Sequence, residues 1–128
     1  MKSLTDAQIS DAIEVVRARD SRDFYIESLD TVRIAYEWLD AQRVRKSSGP
    51  FMPLKHVIEA WGARYVSTSA VQVAAYLHPR IAGRYPGFNL SSRFTRPNRS
   101  RLAGIREAGI HADTYGRKDH THIYKLVE

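Results

Sequence analysis

The sequence predicts a mainly α-helical domain with a C-terminal β-hairpin. Two observations carry that expectation. Apolar residues recur at helical spacing in four stretches up to residue 77, and once more over 99–108. The tail then changes period: His122, Tyr124 and Leu126 alternate with Ile123, Lys125 and Val127, as on a strand. At 128 residues the chain has the length of one domain, enough for a core without staples. It reads as an N-terminal helical extension, 1–28, followed by a main domain, 29–128.

The extension holds one amphipathic helix, 4–19. Thr5 is its N-cap, Gln8 completes a capping box, and Leu4 and Ile9 stand at the hydrophobic-staple positions. Ile9, Ile13 and Val16 form a narrow stripe that needs a partner. That partner is either the rest of the domain or a second copy of the chain, which would make a homodimer.

After a connection over 20–28, Ser28 or Asp30 caps a helix expected to reach Lys46. Leu29, Val32, Tyr36 and Leu39 line one side, with Ala35 and Trp38 beside them. Arg43, Arg45 and Lys46 then fall in its last turn, where cations suit the helix dipole. Ser47-Ser48-Gly49-Pro50 breaks the run. A third helix starts at Pro53 and buries Leu54, Val57, Ile58 and Trp61, with Gly62 near its end. Residues 67–69 offer caps for a fourth, 69–77, which buries Val71, Ala74 and Ala75 and stops at Pro79. Residues 80–97 read as a long connection with a short helical piece near 90–95. Asn98 caps a helix over 99–108 with Leu102 and Ile105 inside, and Gly109 suits a left-handed C-cap. Residues 110–127 form the hairpin, with Gly116-Arg117-Lys118-Asp119 at its tip.

Composition removes several functions. There is no Cys, so disulfides, thiolate nucleophiles and Cys-based zinc sites are excluded. No apolar run has the length to cross a bilayer and no secretory signal is visible, so a cytoplasmic protein without a membrane partner is expected. No Gly-rich phosphate loop, nucleophile elbow or His-Glu-x-x-His run occurs, and neither catalysis nor a cofactor is expected. His120 and His122, with His111 or Asp113 across the hairpin, share a strand face but match no strong metal signature. They are read as hydrogen-bonding or phosphate-contacting groups, and no metal is expected.

Charge is the most informative feature. Residues 60–106 carry eight arginines and no acidic residue, whereas 1–59 hold nine basic and ten acidic side chains and 107–128 hold three and four. The net charge of +6 therefore comes from one block. Such a block suits a polyanion, and Arg, unlike Lys, donates paired hydrogen bonds to phosphate or a guanine edge.

The run Ser-Arg-Leu-Ala-Gly-Ile-Arg-Glu-Ala-Gly-Ile, 100–110, followed by a hairpin ending His-Ile-Tyr-Lys-Leu, resembles the back half of a winged helix-turn-helix domain. The resemblance covers about 75 residues. It implies double-stranded DNA as partner, with a role in transcription regulation or as an accessory factor of a mobile element. The 99–108 helix would enter the major groove, with Asn98, Arg99, Ser100 and Ala103 reading bases and Arg106 on the flank of Arg99. Arg101 falls beside the apolar stripe and would snorkel over the core or bind a phosphate. Arg93 and Arg96, beside Thr95, would clamp the backbone from the connection, as would Arg80 and Arg84. Arg117 and Lys118 would touch flanking DNA from the wing. Two other readings stay open. One is an inhibitor or adaptor that sets its arginines against an acidic protein. The other is a single-strand or RNA binder that stacks bases on Tyr76, Tyr85, Phe88 and Phe94.

Overall fold

A computed structural model describes residues 3–20, 23–49, 51–115 and 121–128. Helices α1 (Asp6–Arg19), α2 (Leu29–Asp40), α3 (Leu54–Gly62) and α4 (Thr68–Leu77) come first. Strands β1 (Gly83–Arg84), β2 (Gly87–Phe88), β3 (Phe94–Arg96) and β4 (Tyr124–Val127) follow, with a 3₁₀ turn at Arg99–Leu102. The mainly helical class and a small C-terminal strand pair are as the sequence predicts. Among the described residues no helix is long and apolar enough to cross a membrane.

α4 lies at the centre. Ala70 to Ala75 are all buried, because α2 covers one side of the helix and α1 another. Ser67 caps it by accepting the Ala70 N–H. α1 begins with the expected capping box, Thr5 Oγ1 accepting from Gln8 N and Gln8 Oε1 from Thr5 N. Its stripe of Ile9, Ala12, Ile13 and Val16 is buried within this chain. The intramolecular docking of the two considered is therefore the one found, and the stripe offers no free face to a second copy. Gly62 lets α3 approach α2: a Cβ there would lie 2.5 Å from Ile34 Cγ2.

α2 stops at Asp40, six residues short of the expected end. The next position on its stripe after Leu39 would be Gln42 or Arg43, and neither is apolar. Gln42 instead does the work of a strand residue. Its Nε2 donates to Trp38 O (3.0 Å) and Thr95 O (2.8 Å), and its Oε1 accepts from Thr95 N (2.9 Å). The chain beyond it runs extended, with Val44 bridging Leu90 in antiparallel sense.

The expected connection, 80–97, contains three short strands. β1 and β2 pair antiparallel around Tyr85-Pro86, and the segment expected to be helical near 90–95 leads into β3. The 99–108 helix is reduced to the 3₁₀ turn, capped by Asn98 Oδ1 accepting from Ser100 N. Gly104 weakens any helix through this stretch. The chain after it is also tied elsewhere: Gly109 N donates to Gly62 O (2.8 Å) and His111 N to Ala63 O (2.7 Å). Gly109 does hold the left-handed conformation, φ 88°.

Among the described residues the expected C-terminal hairpin is not found. β4 pairs in parallel with β3, matching Phe94 to Tyr124, Thr95 to Leu126 and Arg96 to Val127. Residues 106–115 are turns rather than a partner strand. Burial explains the choice. Tyr124 packs against the core and accepts the Trp38 indole N–H at 2.9 Å. The expected hairpin tip, with Arg117 and Lys118, lies outside the described residues, as does His120.

Candidate nucleic-acid interface

The arginine block separates into two populations. Arg64 and Arg101 are internal. Arg64 is 5% exposed and binds Glu27 and Glu107. Arg101, with 14% of its side chain exposed, binds Glu37, Asp40 and Glu128. Every one of these carboxylates lies outside residues 60–106. Charge that is segregated along the sequence is thus interleaved in space, and two of the eight arginines act as cross-links. Arg101, expected either to snorkel over the core or to bind a phosphate, is instead surrounded by three carboxylates.

His78 belongs to the same network. It is buried, its Nε2 lies 2.7 Å from Asp40 Oδ1, and its Nδ1 accepts from Arg80 N. Both ring nitrogens are engaged, which leaves neither for a proton-transfer role.

These contacts shift the carboxyls. Arg64 draws the Glu27 carboxyl below its usual range, and the Ser28 hydroxyl and then Arg64 do the same for Glu107. Glu128 is lowered by Arg101. Burial opposes ionisation of Asp40, yet His78 and Arg101 bring it below its ordinary value. Glu37 moves up, because its burial outweighs Arg101. Carboxyls held low contribute stability that is complete above their unfolded values, about 4, and lost as pH falls through their folded ones. Glu37 has the opposite sign and offsets part of that loss. The thermal midpoint is therefore expected to stay level from neutrality to about pH 5 and to fall steeply below about pH 4. Melts followed by circular dichroism across that range check this, and a level midpoint down to pH 3 would contradict it.

The second population is exposed. Arg84, Arg93, Arg96 and Arg106 have no carboxylate within ion-pair distance among the described residues, nor does Arg99, whose Nη1 donates to Trp61 O. Arg80 reaches Asp40 Oδ1 only at 3.4 Å. Asn98 is committed to capping and to Glu128, to which its N–H donates. Ser100 and Ala103 are exposed but sit on and just after a single turn, not on a groove-reading helix. The expected base-reading set is therefore not assembled on one helix face.

What the fold does assemble is a ridge of extended segments. Arg45 N donates to Asn89 O (2.8 Å) and Ser91 N to Arg43 O (2.9 Å), flanking the Val44–Leu90 bridge. Leu90 is buried, whereas Val44 opposite it is 37% exposed, and Arg43 and Arg45 on either side of Val44 are exposed as well. The Asn89 amide laces a third segment to the ridge, its Nδ2 donating to Arg45 O and Arg80 O and its Oδ1 accepting from Ala82 N. Arg43, Arg45, Lys46, Arg80 and Arg93 are all exposed on these segments. Compared with protein-family models, with curated proteins and with solved structures, the chain matches none.

Sequence reasoning placed Arg43, Arg45 and Lys46 at a helix end and so missed their part in this ridge. A signal was present: the apolar stripe of α2 fails at Gln42 and at Arg43, the first of the three cations. The aromatics expected to interleave with the arginines are mostly internal. Phe88 and Phe94 are core, and Tyr85 is half-buried with its hydroxyl accepting from Lys55 N. Tyr76 alone of the four is exposed, with the Arg19 guanidinium 5.7 Å from its ring.

Proposed function

We propose that this chain binds double-stranded DNA through the ridge of Arg43, Arg45, Lys46, Arg80 and Arg93. The observation that carries the reading is the convergence of these five exposed cations on laced extended segments, with one ion pair among their described contacts, Arg80 to Asp40 at 3.4 Å. No described helix presents an arginine-rich face: α4 is buried at six successive positions, and Arg99 and Arg101 occupy one 3₁₀ turn. Contact in this reading is mainly to phosphates and tolerant of sequence, which suits an architectural or accessory role. The winged helix-turn-helix resemblance enters through the order of helices alone, with the ridge taking the place of a reading helix.

Five neutralised phosphates should lower affinity for random duplex by roughly 10²–10³ between 50 and 200 mM salt. The triple variant Arg43→Ala/Arg45→Ala/Arg93→Ala should flatten the log–log salt slope by about three units, while Arg106→Ala, away from the ridge, leaves it near the wild-type value. Fluorescence anisotropy with a labelled duplex measures both. Binding that ignores salt, or a triple variant with the wild-type slope, would remove the ridge from the reading and favour the acidic-protein alternative.

One observation favours a single-strand reading. Phe51 is 80% exposed, and its ring lies over Gly87, beside the ridge strand. An aromatic face next to arginines can stack an unpaired base. Tighter binding to single strands than to duplex, lost in Phe51→Ala, would select it.

A further inference from the structure

A second surface, built of tyrosines, has no part in the ridge. Tyr25, Tyr65 and Tyr115, with His111, Thr114 and Glu27, line an open cleft of about 520 Å³. The rings do not stack flat on one another. Tyr25 and Tyr65 are 6.5 Å apart and tilted by 51°, Tyr65 and Tyr115 6.3 Å and 48°, His111 and Tyr115 5.8 Å and 48°. Each ring is inclined to the next by about half a right angle, and all of them line the same cleft.

The walls are held from behind. Tyr25 N donates to Ser69 Oγ and Tyr25 O accepts from Ser67 Oγ, pinning that residue to the start of α4 on both sides. Tyr65 N donates to His111 Nδ1 (3.0 Å), and Tyr115 N to His111 O (2.8 Å). The charge of the wall is negative. Glu27 is ionised and keeps 38% of its side chain exposed, and it shares Arg64 with Glu107, so two carboxylates answer one guanidinium. Lys55 Nζ already sits 4.5 Å from the Tyr65 ring centre, held there by Glu59, which shows that this ring takes a cation.

We propose that this cleft binds an alkylated ammonium group. Tilted, electron-rich faces around one space, with a carboxylate at the edge, are what attract such a cation. A flat base would need parallel faces, and a phosphate would meet Glu27. The same head group occurs on small quaternary amines and on methylated lysine side chains, and the cleft is open enough for either source.

The test is a titration of the full chain, followed by NMR shifts of the tyrosine rings, at constant ionic strength. The probes are tetramethylammonium, choline, and short peptides carrying either lysine or trimethyl-lysine. Saturable binding is expected, with trimethyl-lysine preferred over lysine by roughly ten-fold. Free amines binding as well as the peptide would indicate the small-molecule source, and tighter peptide binding the side-chain source; both support the proposal. Tyr25→Ala, at a half-exposed position, should weaken binding about ten-fold without unfolding the chain, Tyr65→Phe should retain it, and Glu27→Gln should weaken it several-fold. Unsaturable shifts, equal affinity for both peptides, or wild-type binding by a folded Tyr25→Ala would overturn it.

Discussion

Replacing Arg101 by Ala is expected to lower folding stability by about 3–5 kcal/mol, measured by urea denaturation at neutral pH. The guanidinium binds three carboxylates from two places in the chain: Glu37 and Asp40 on α2, and Glu128 beyond β4. Glu37 and Asp40 are about four-fifths buried. Without Arg101 they would keep only the His78 ring and the Arg80 guanidinium, both at Asp40. The cost is thus mostly that of stranded charge, not of the attraction lost. Arg96→Ala, on the exposed side of β3, should stay within about 0.5 kcal/mol of wild type and serves as the control. Glu128→Gln should cost less than Arg101→Ala, and the two should be non-additive by about 0.5–3 kcal/mol because they share one contact. A loss below about 1 kcal/mol for Arg101→Ala would mean that water, not protein, satisfies this network.

Ile9→Asp should be comparably damaging, at least about 3 kcal/mol, with no change of oligomeric state. Ile9 has no exposed surface and lies in the core between α1 and its neighbours α2 and α4. The substitution removes a packed side chain and puts a carboxylate in its place. Damage of this kind is felt by the whole cooperative unit, because α4 is covered by α1 as well as by α2. Light scattering before and after the substitution separates this from docking on a second copy. A halved mass with an unchanged unfolding transition would place the stripe between chains.

Local signals in the sequence were read well where one element decides its own form. The capping box at Thr5, the cap near Ser67, the helical spacing of Leu54 to Trp61 and the left-handed Gly109 all depend on residues close in sequence. The failures share a cause: a distant partner won over a local preference. Gln42 ends α2 by pairing with Thr95, fifty-three residues on. Residues 99–108 keep the Asn98 cap but are drawn onto the end of α3 through Gly109 and His111. The tail has strand character, and periodicity alone cannot say that its partner is β3 and not residues 110–115. The site suffers most from this. Arginine count along the chain leads to the expectation of a polyanion-facing surface, but Arg64 and Arg101 have partners in segments that the count assigns to another charge class.

The bond from Trp38 to Tyr124 joins residues 86 apart, and the parallel pairing of β3 with β4 closes a loop of thirty. Joining such distant points restricts the chain long before the contacts themselves repay it. The helices α1, α2 and α4 can collapse on one another while the tail is still free; the indole N–H cannot be satisfied until the tail arrives. The last strand thus acts as a closing step in time as well as in space. The fluorescence of Trp38, a residue on the second helix, becomes a clock for the end of the chain.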